Sequence, residues 1–372
     1  MILRGIMEEQ KLDIRILNGT EIIVGSSLSS RLSGKISEVS KEGAILVLYD
    51  KNLKRLALEI GDNLRQLNRR IFLCEIDKDK NQDSTVPDYI RFIIAVGCGT
   101  IAQKADAISK GMNIPWSLFL TAPTTDTILR GKSPKHVFID ANVMDNCPKA
   151  CIAAGYGIVY SRGLKLFESV FASKVLALEK PCVPFEIKGD INPVSLAMLL
   201  IEISAIDDEI DSADIVAHIL FQRTKAQGKK PRLFGEYKFV ASSYLFSLYS
   251  RLVGAPAIDV IPPPSREDAG ERLASIGCDN LVNTSKSIDF FDINSYFRIS
   301  YILAEYRTDL LEKLSAADVH KSQRVWRRIY DDAGYFLKDA LTAKDVREAV
   351  LLAGSVSDNL LGYAYASGAL GG

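Results

Sequence analysis

Between Leu12 and about Asp140 the chain switches repeatedly between two hydrophobic periods, and this alternation restricts the fold more than any other feature. Short β-branched runs, EIIVG, AILVLYD, RIFLCEI, RFIIAVG, WSLFLTAP and HVFIDANVM, are separated by amphipathic stretches such as SSRLSGKISEVSKEG, NLKRLALEIGDNLRQL and TIAQKADAISKGM. Runs of about five residues joined through helical pieces of about 10 to 15 form βαβ units, and therefore a parallel sheet covered on both faces. The first half is expected to be an α/β, Rossmann-like domain.

After Cys147 nearly every segment carries apolar residues three and four apart: SRGLKLFESVFASKVLALE, VSLAMLLIEISAI, FGEYKFVASSYLFSLYSRL, INSYFRISYILAEYRTDLLEKL and AKDVREAVLLAGSVSDNLL. That spacing gives an all-α second domain. With 372 residues the chain is long enough for two cores, so the reading is a nucleotide-binding domain over 1–150 and a helical domain over 151–372. The change falls near CPKACIAAGYGIVYSR, and VIPPPSREDAG (260–270) reads as a proline-stiffened connector. No repeat of about 20 to 50 residues is present.

Several classes are excluded at this level. No apolar stretch approaches the roughly 18 residues of a membrane span, the longest candidate being LAMLLIEISAI. The N-terminus lacks the layout of a signal peptide, so a cytoplasmic location is expected. Basic and acidic residues both total 46, leaving no field to hold nucleic acid or an anionic membrane. The six cysteines lack disulfide-scaffold or zinc-ribbon spacing and read as reduced, mostly buried thiols; Cys147 and Cys151 are the pair closest to a metal pattern.

FIIAVGCGTIAQKADAIS combines a buried strand, a glycine turn and a helix start. At such a junction bare N–H groups and the positive end of the helix dipole face an anion. Gly97, Cys98, Gly99 and Thr100 are therefore candidates for a phosphate loop, the alternative being a turn that only tightens strand-to-helix packing. Asp50 ends the run AILVLYD, where a carboxylate accepts ribose hydroxyls. TAPTTD adds Thr121, Thr124 and Asp126 at another strand end. Together these favour a dinucleotide site.

With these motifs assembled, the chain resembles the superfamily of glycerol dehydrogenase, glycerol-1-phosphate dehydrogenase, iron-containing alcohol dehydrogenases and dehydroquinate synthase. VGCGT resembles the family's VGGGS or VGSGT loop, TAPTTD its TAPSTD, PKHVFIDANVM its PKAVIADPDVL and IAAGYGIVYSR its IAAGYGDLLSK. The resemblance implies a nucleotide-binding domain, an all-helical domain, and a catalytic cleft in which Zn or Fe polarises an alcohol while NAD or NADP exchanges hydride. It implies a homodimer or larger homo-oligomer acting on a polyol or a phosphorylated small molecule.

The same resemblance exposes a departure. The three family metal ligands fall on Ile158, Ile215 and Phe234, and a substrate-facing histidine falls on Ile219. Aliphatic and phenyl groups offer no donor atoms, so no divalent metal is expected at these positions. Only His136, His218 and His320 are present; a rebuilt site would need His218 with Asp214 or Glu236. Gln103 and Asp106 also stand where an acid and a lysine are usual in the cofactor loop. Asp126 matches an acid at the substrate and nicotinamide end. Asp126, Lys238 and Tyr160 are the catalytic candidates, with Tyr156, Arg162, Glu236 and Tyr237 as further polar groups.

The basic runs RTKAQGKKPR and RVWRR read as solvated, the first being able to attract a phosphorylated substrate. Three functions stay open: an NAD(P)-dependent oxidoreductase working without metal, a catalytically inactive nucleotide- or partner-binding subunit, and a dehydroquinate synthase-like cyclase or lyase.

Overall fold

The computed structural model describes residues 12–40, 42–76, 86–129, 132–178, 192–205, 211–254, 266–281, 290, 292–318 and 341–367. The chain divides into two compact units, the first holding the residues up to Ile152 with a helix near 200, the second the remainder.

The first unit is built on seven strands: β1 (Asp13–Leu17), β2 (Thr20–Gly25), β3 (Ala44–Asp50), β4 (Ile71–Ile76), β5 (Ile90–Gly97), β6 (Trp116–Leu120) and β7 (His136–Asp140). Their order is β1-β2-β7-β6-β5-β3-β4, with every pair parallel except β1 and β2. The parallel α/β sheet expected from the alternating periods is present. Its antiparallel edge strand was not anticipated, although Asn18-Gly19 is a two-residue hairpin signal. Both residues take positive φ, 48° and 76°, the conformation that joins tightly twisted strands.

Strands β3 and β5 are buried on both faces. Leu46, Leu48, Ile93, Ala95, Leu118 and Leu120 pack on one side with α3 (Gly99–Met112). Ile45, Val47, Phe92, Ile94 and Val96 pack on the other with α1 (Leu32–Val39) and α2 (Lys54–Arg65). α4 (Ala141–Asp145) follows β7 directly.

Helix α5 (Lys149–Val175) carries the chain into the second unit. The run VSLAMLLIEISAI, grouped with the helical half by its period, forms α6 (Pro193–Ser204) and belongs to the sheet unit, where Ala197 and Ile201 enter the core. Ser204 Oγ accepts from Leu129 N, and Asn18 Nδ2 donates to Ala205 O, fixing that helix on the sheet unit. An apolar helix reads alike in either core, so periodicity alone does not choose between them.

The second unit contains α7 (Ser212–Ala226), α8 (Phe234–Gly254), α9 (Arg266–Ser275), α10 (Ile293–Glu305), α11 (Arg307–Ala317), α12 (Ala343–Val356) and α13 (Leu360–Ala366) besides α5. All described elements are helical, as the spacing required. REDAG opens α9 instead of belonging to a connector, while the prolines before it, RVWRR, His320 and Cys182 lie outside the described residues. Cys278 is buried and Cys74, Cys98, Cys147 and Cys151 are half-buried, none of these five in a disulfide. Among the described residues no helix is long and apolar enough to cross a membrane.

Candidate functional site

In the sheet unit, β3 continues to β4 on one side while β5 lies on the other, so the strand order reverses between β3 and β5. Parallel sheets bind ligands at the carboxyl ends of strands flanking such a reversal. Tyr49 pairs with Val96 and Gly97 with Leu120, which sets Asp50, the glycine loop and Thr121 on three neighbouring strand ends. Thr121 N donates to Gly97 O at 3.2 Å, joining two of these ends directly.

The loop is shaped for close approach. Gly99 has φ +37° and open space where a Cβ would stand, while a Cβ on Gly97 would meet the Ile101 side chain at 2.9 Å. Cys98 provides no side-chain cap to α3, and Thr100 is exposed beside it. The first-turn N–H groups of a 14-residue helix thus lack a side-chain acceptor from the N-cap, the arrangement that suits a phosphate. Asp50 is buried; one oxygen caps the next turn by accepting from Asn52 N at 2.9 Å. Thr124 and Asp126 are half-buried in the loop after β6, where Thr124 N donates to Ala122 O. These residues fit a dinucleotide. Cys147 also reaches this region: burial pushes its thiol up, with Cys98 adding to the effect.

In the helical unit the IAAGYG run serves a helix crossing. A Cβ on Gly157 would lie 1.8 Å from Gly235 O, and one on Gly235 would lie 1.9 Å from Ala154 O, so α5 and α8 touch through bare backbone. Ile158 is 3% exposed beside that crossing. Ile215 and Ile219 lie in the hydrophobic core of the unit, and Phe234 is 36% exposed with its ring edge-on to Phe221. None of these side chains can ligate a cation, and among the described residues no three His, Cys, Asp or Glu side chains converge on a metal position. The side chains at these positions do not fit the metal that the resemblance implies.

His218, half-buried, has its pKa lowered by desolvation and by Lys225, against a smaller opposing effect of Asp214. Glu236 Oε2 accepts from Leu233 N at 3.0 Å at the start of α8, while the buried Oε1 has no hydrogen-bond partner. Burial raises the Glu236 pKa despite that bond. The Tyr160 hydroxyl donates to Asp318 at 3.3 Å, its ring held between Phe239 and Phe246. Desolvation raises Tyr156 to about 12. Arg162 is buried, and the buried Tyr237 accepts from Arg232 N.

Lys238 forms the feature that spacing could not reveal. It is 5% exposed, its Nζ lies 2.6 Å from Asp214 Oδ1, and it sits 5.8 Å from the Phe234 ring centroid. Its partner Asp214 adjoins Ile215 in the chain, and Phe234 precedes Lys238 by one turn of α8; both are positions that the resemblance assigns to metal. Behind it, Asp211 Oδ1 caps α7 through Asp214 N at 2.6 Å, Ser212 N donates to Glu168 Oε2 at 3.2 Å, and Tyr249 donates to Glu168 Oε1. Desolvation raises Asp211 to about 7, Asp214 adding to the rise and Lys238 opposing it.

The fold defines a class: a parallel α/β sheet unit and an all-helical unit, the two kinds of domain that the resemblance implies. The chain is 27% identical over 192 residues to a glycerol-1-phosphate dehydrogenase [NAD(P)+] of Geobacillus stearothermophilus, covering 44% of this chain and 47% of that one. A protein so named from Pyrococcus abyssi is 26% identical over 162 residues, 38% of this chain and 47% of the relative. The chain spans about half the length of these curated relatives. Among solved structures it is similar to an NADH-dependent butanol dehydrogenase of Thermotoga maritima, with a TM-score of 0.48 and 12% identity over 92% of this chain and 99% of that one. A glycerol dehydrogenase of Schizosaccharomyces pombe gives 0.44 and 13% over 88% and 94%. No family model matches the chain. Over that part of its length the chain is similar to glycerol-1-phosphate dehydrogenases.

Proposed function

We propose that this chain is an NAD(P)-linked oxidoreductase for a polyol or phosphorylated small molecule, in which the Lys238 ammonium replaces the relatives' metal cation. The carrying observation is the buried Lys238–Asp214 pair at 2.6 Å, set beside hydrocarbon at the inherited ligand positions. The activity for which these relatives are named supports the cofactor and the phosphorylated substrate class.

Asp50, Gly97, Cys98, Gly99, Thr100, Thr121 and Thr124 hold the nucleotide, and Asp126 contacts the substrate end. Bound NAD or NADP would supply or accept the hydride. A carbonyl oxygen gains negative charge as its carbon is reduced, and a fixed ammonium in a dry setting stabilises that charge and donates the proton. Asp214 holds the ammonium in one orientation; 24% exposed, it connects the pair with solvent for reprotonation. Tyr160, whose hydroxyl is engaged by Asp318, is a weaker donor than Lys238.

The test combines thermal unfolding with NAD, NADP, their reduced forms, Zn²⁺ and Fe²⁺ and a turnover screen against hydroxyketones and their phosphates. Binding to the native state raises the melting temperature by mass action. A nucleotide shift, none with metal, and turnover indifferent to chelator are expected. Lys238→Met should lower kcat by about 10² to 10³ while leaving the nucleotide shift intact. Because that change strands Asp214, a Lys238→Met, Asp214→Asn double variant provides the folded control. Activity abolished by EDTA and restored by zinc would sink the proposal. A nucleotide shift with no turnover would favour the inactive binding subunit, a reading to which the engaged Tyr160 hydroxyl already lends support.

A further inference from the structure

Where α7, α9, α12 and α13 meet, the helical unit holds a cavity of about 540 Å³ that opens to solvent. That volume falls in the range of small-molecule sites, roughly 300 to 1,000 Å³. Ala269, Leu352 and Tyr365 are buried and Ile276 and Leu351 half-buried, which gives the cavity an apolar floor. Its described lining residues all belong to the helical unit, so a ligand here needs neither the nucleotide nor Lys238.

Two guanidiniums line the cavity, and they are held differently. Arg223, near the end of α7, has its Nε 2.8 Å from Asp345 Oδ1 and its Nη1 paired with Glu348, and Gln227 Nε2 donates to the same Asp345 oxygen at 3.2 Å. These pairs fix the plane of the guanidinium and leave its Nη2 edge able to donate. Arg272, exposed on α9, makes no ion pair or side-chain hydrogen bond among the described residues. Burial raises the Tyr365 phenol and Arg272 opposes that rise, so the charge of Arg272 acts on the cavity floor. Asp268 and Glu348 also line the cavity. Their carboxylates would repel a dianion, whereas an uncharged ligand would leave Arg272 without a counter-charge. A single carboxylate on a hydrocarbon body matches both the floor and the rim.

We propose that this cavity is a binding site for an amphipathic monocarboxylate, its head on Arg272 and the free edge of Arg223 and its hydrocarbon against Ile276, Leu351 and Leu352. The run RTKAQGKKPR, which opens with Arg223, thereby contributes a fixed donor to a ligand site as well as a solvated loop.

Isothermal titration calorimetry of the full chain, without nucleotide, tests this with octanoate, octanol and octylamine as probes. Octanoate should bind with a Kd of about 1 mM or below. Its affinity should exceed that of octanol at least about tenfold, the margin of a charge-assisted hydrogen bond, with octylamine weakest. Arg272→Gln should bring octanoate down to the affinity of octanol, while Arg272→Lys keeps part of the preference. Arg251→Gln, at an exposed arginine of α8, should change nothing. Ile276→Trp, which fills the cavity, should weaken octanoate and octanol alike. Circular dichroism checks that each variant is folded, and the exposure of Arg272 keeps its replacement informative even if Ile276→Trp unfolds. Octanoate that shows no saturable binding at about 10 mM, or binds no more tightly than octanol, overturns the proposal. So does an affinity indifferent to Arg272→Gln, equally reduced by Arg251→Gln, or unchanged in a folded Ile276→Trp variant.

Discussion

The contact between α5 and α8 makes a sharp claim about glycine. If Gly157 exists so that two backbones can touch, a single methyl group there should be costly. Its Cβ would stand 1.8 Å from Gly235 O, 2.8 Å from Gly235 C and 3.0 Å from Phe239 Cβ, whereas ordinary contact begins at 3.4 Å. The helices would have to part by about 1.6 Å. The nearest obstacle is backbone, so no rotamer change relieves it, and separation would loosen the packing of Tyr160 on Phe239 and Phe246. Overpacking a side-chain core usually costs about 1 to 3 kcal/mol, and displacing a helix belongs above that range, at about 3 to 5 kcal/mol. Gly111→Ala in α3 is the control: nothing lies within 4 Å of its Cβ, so better helix propensity should stabilise it by up to about 1 kcal/mol. The assay is urea unfolding followed by far-ultraviolet circular dichroism, with the two units allowed separate transitions. Gly157→Ala should lower the midpoint of the helical unit and leave a nucleotide-induced shift of the sheet unit in place. A Gly157→Ala midpoint matching that of Gly111→Ala would refute the crossing.

Asp140 ends β7 as Asp50 ends β3, but its carboxylate is wholly structural, accepting from Leu28 N at 2.6 Å and Asn142 N at 2.9 Å; Asp140→Ala should cost about 2 to 4 kcal/mol in urea unfolding. Asp50→Asn keeps an acceptor for Asn52 N while removing the charge, so it should leave apo stability within about 0.5 kcal/mol yet shrink the melting-temperature shift with NAD or NADP. Asp211 gives a pH dependence of defined sign. Its folded pKa is raised, so its favourable contribution is complete below the unfolded value of about 3.9 and lost as pH climbs through about 7. Asp211→Asn, which retains an N-cap acceptor, should gain stability relative to wild type between those limits in unfolding curves taken across pH.

How much of this was legible depended on whether a residue's partner lay nearby in sequence. Strands β3 and β5 were plain because a strand buried on both faces is an unbroken apolar run, and the glycine turn after β5 followed because its chemistry is local. The β1–β2 hairpin was equally local and was missed only because Asn18-Gly19 went unread. Helix α6 could not be assigned to its core from period alone, since Ala197 and Ile201 look the same whichever unit they enter. The IAAGYG run announced a close approach without saying to what; Gly235 answers that, 78 positions away along the chain.

The Lys238–Asp214 pair is the hardest case and the most consequential. Lys238 and Glu236 share one helix, but Glu236 caps the start of α8 and the partner of Lys238 comes from α7. Loss of donor atoms at Ile158, Ile215 and Phe234 by itself argues only that a cation is no longer held. A buried lysine near Phe234 argues something more specific, because burying an ammonium is expensive and a neutral residue of similar size would spare that cost. Asp214 offsets part of the expense, yet a well-packed apolar pair at the α7–α8 contact would avoid it altogether. The proposed role of the ammonium on a substrate oxygen therefore predicts that replacing both Lys238 and Asp214 with neutral residues leaves the fold as stable or more so while removing turnover. A double variant that both unfolds early and keeps its activity would reverse the assignment, making the pair a structural strut.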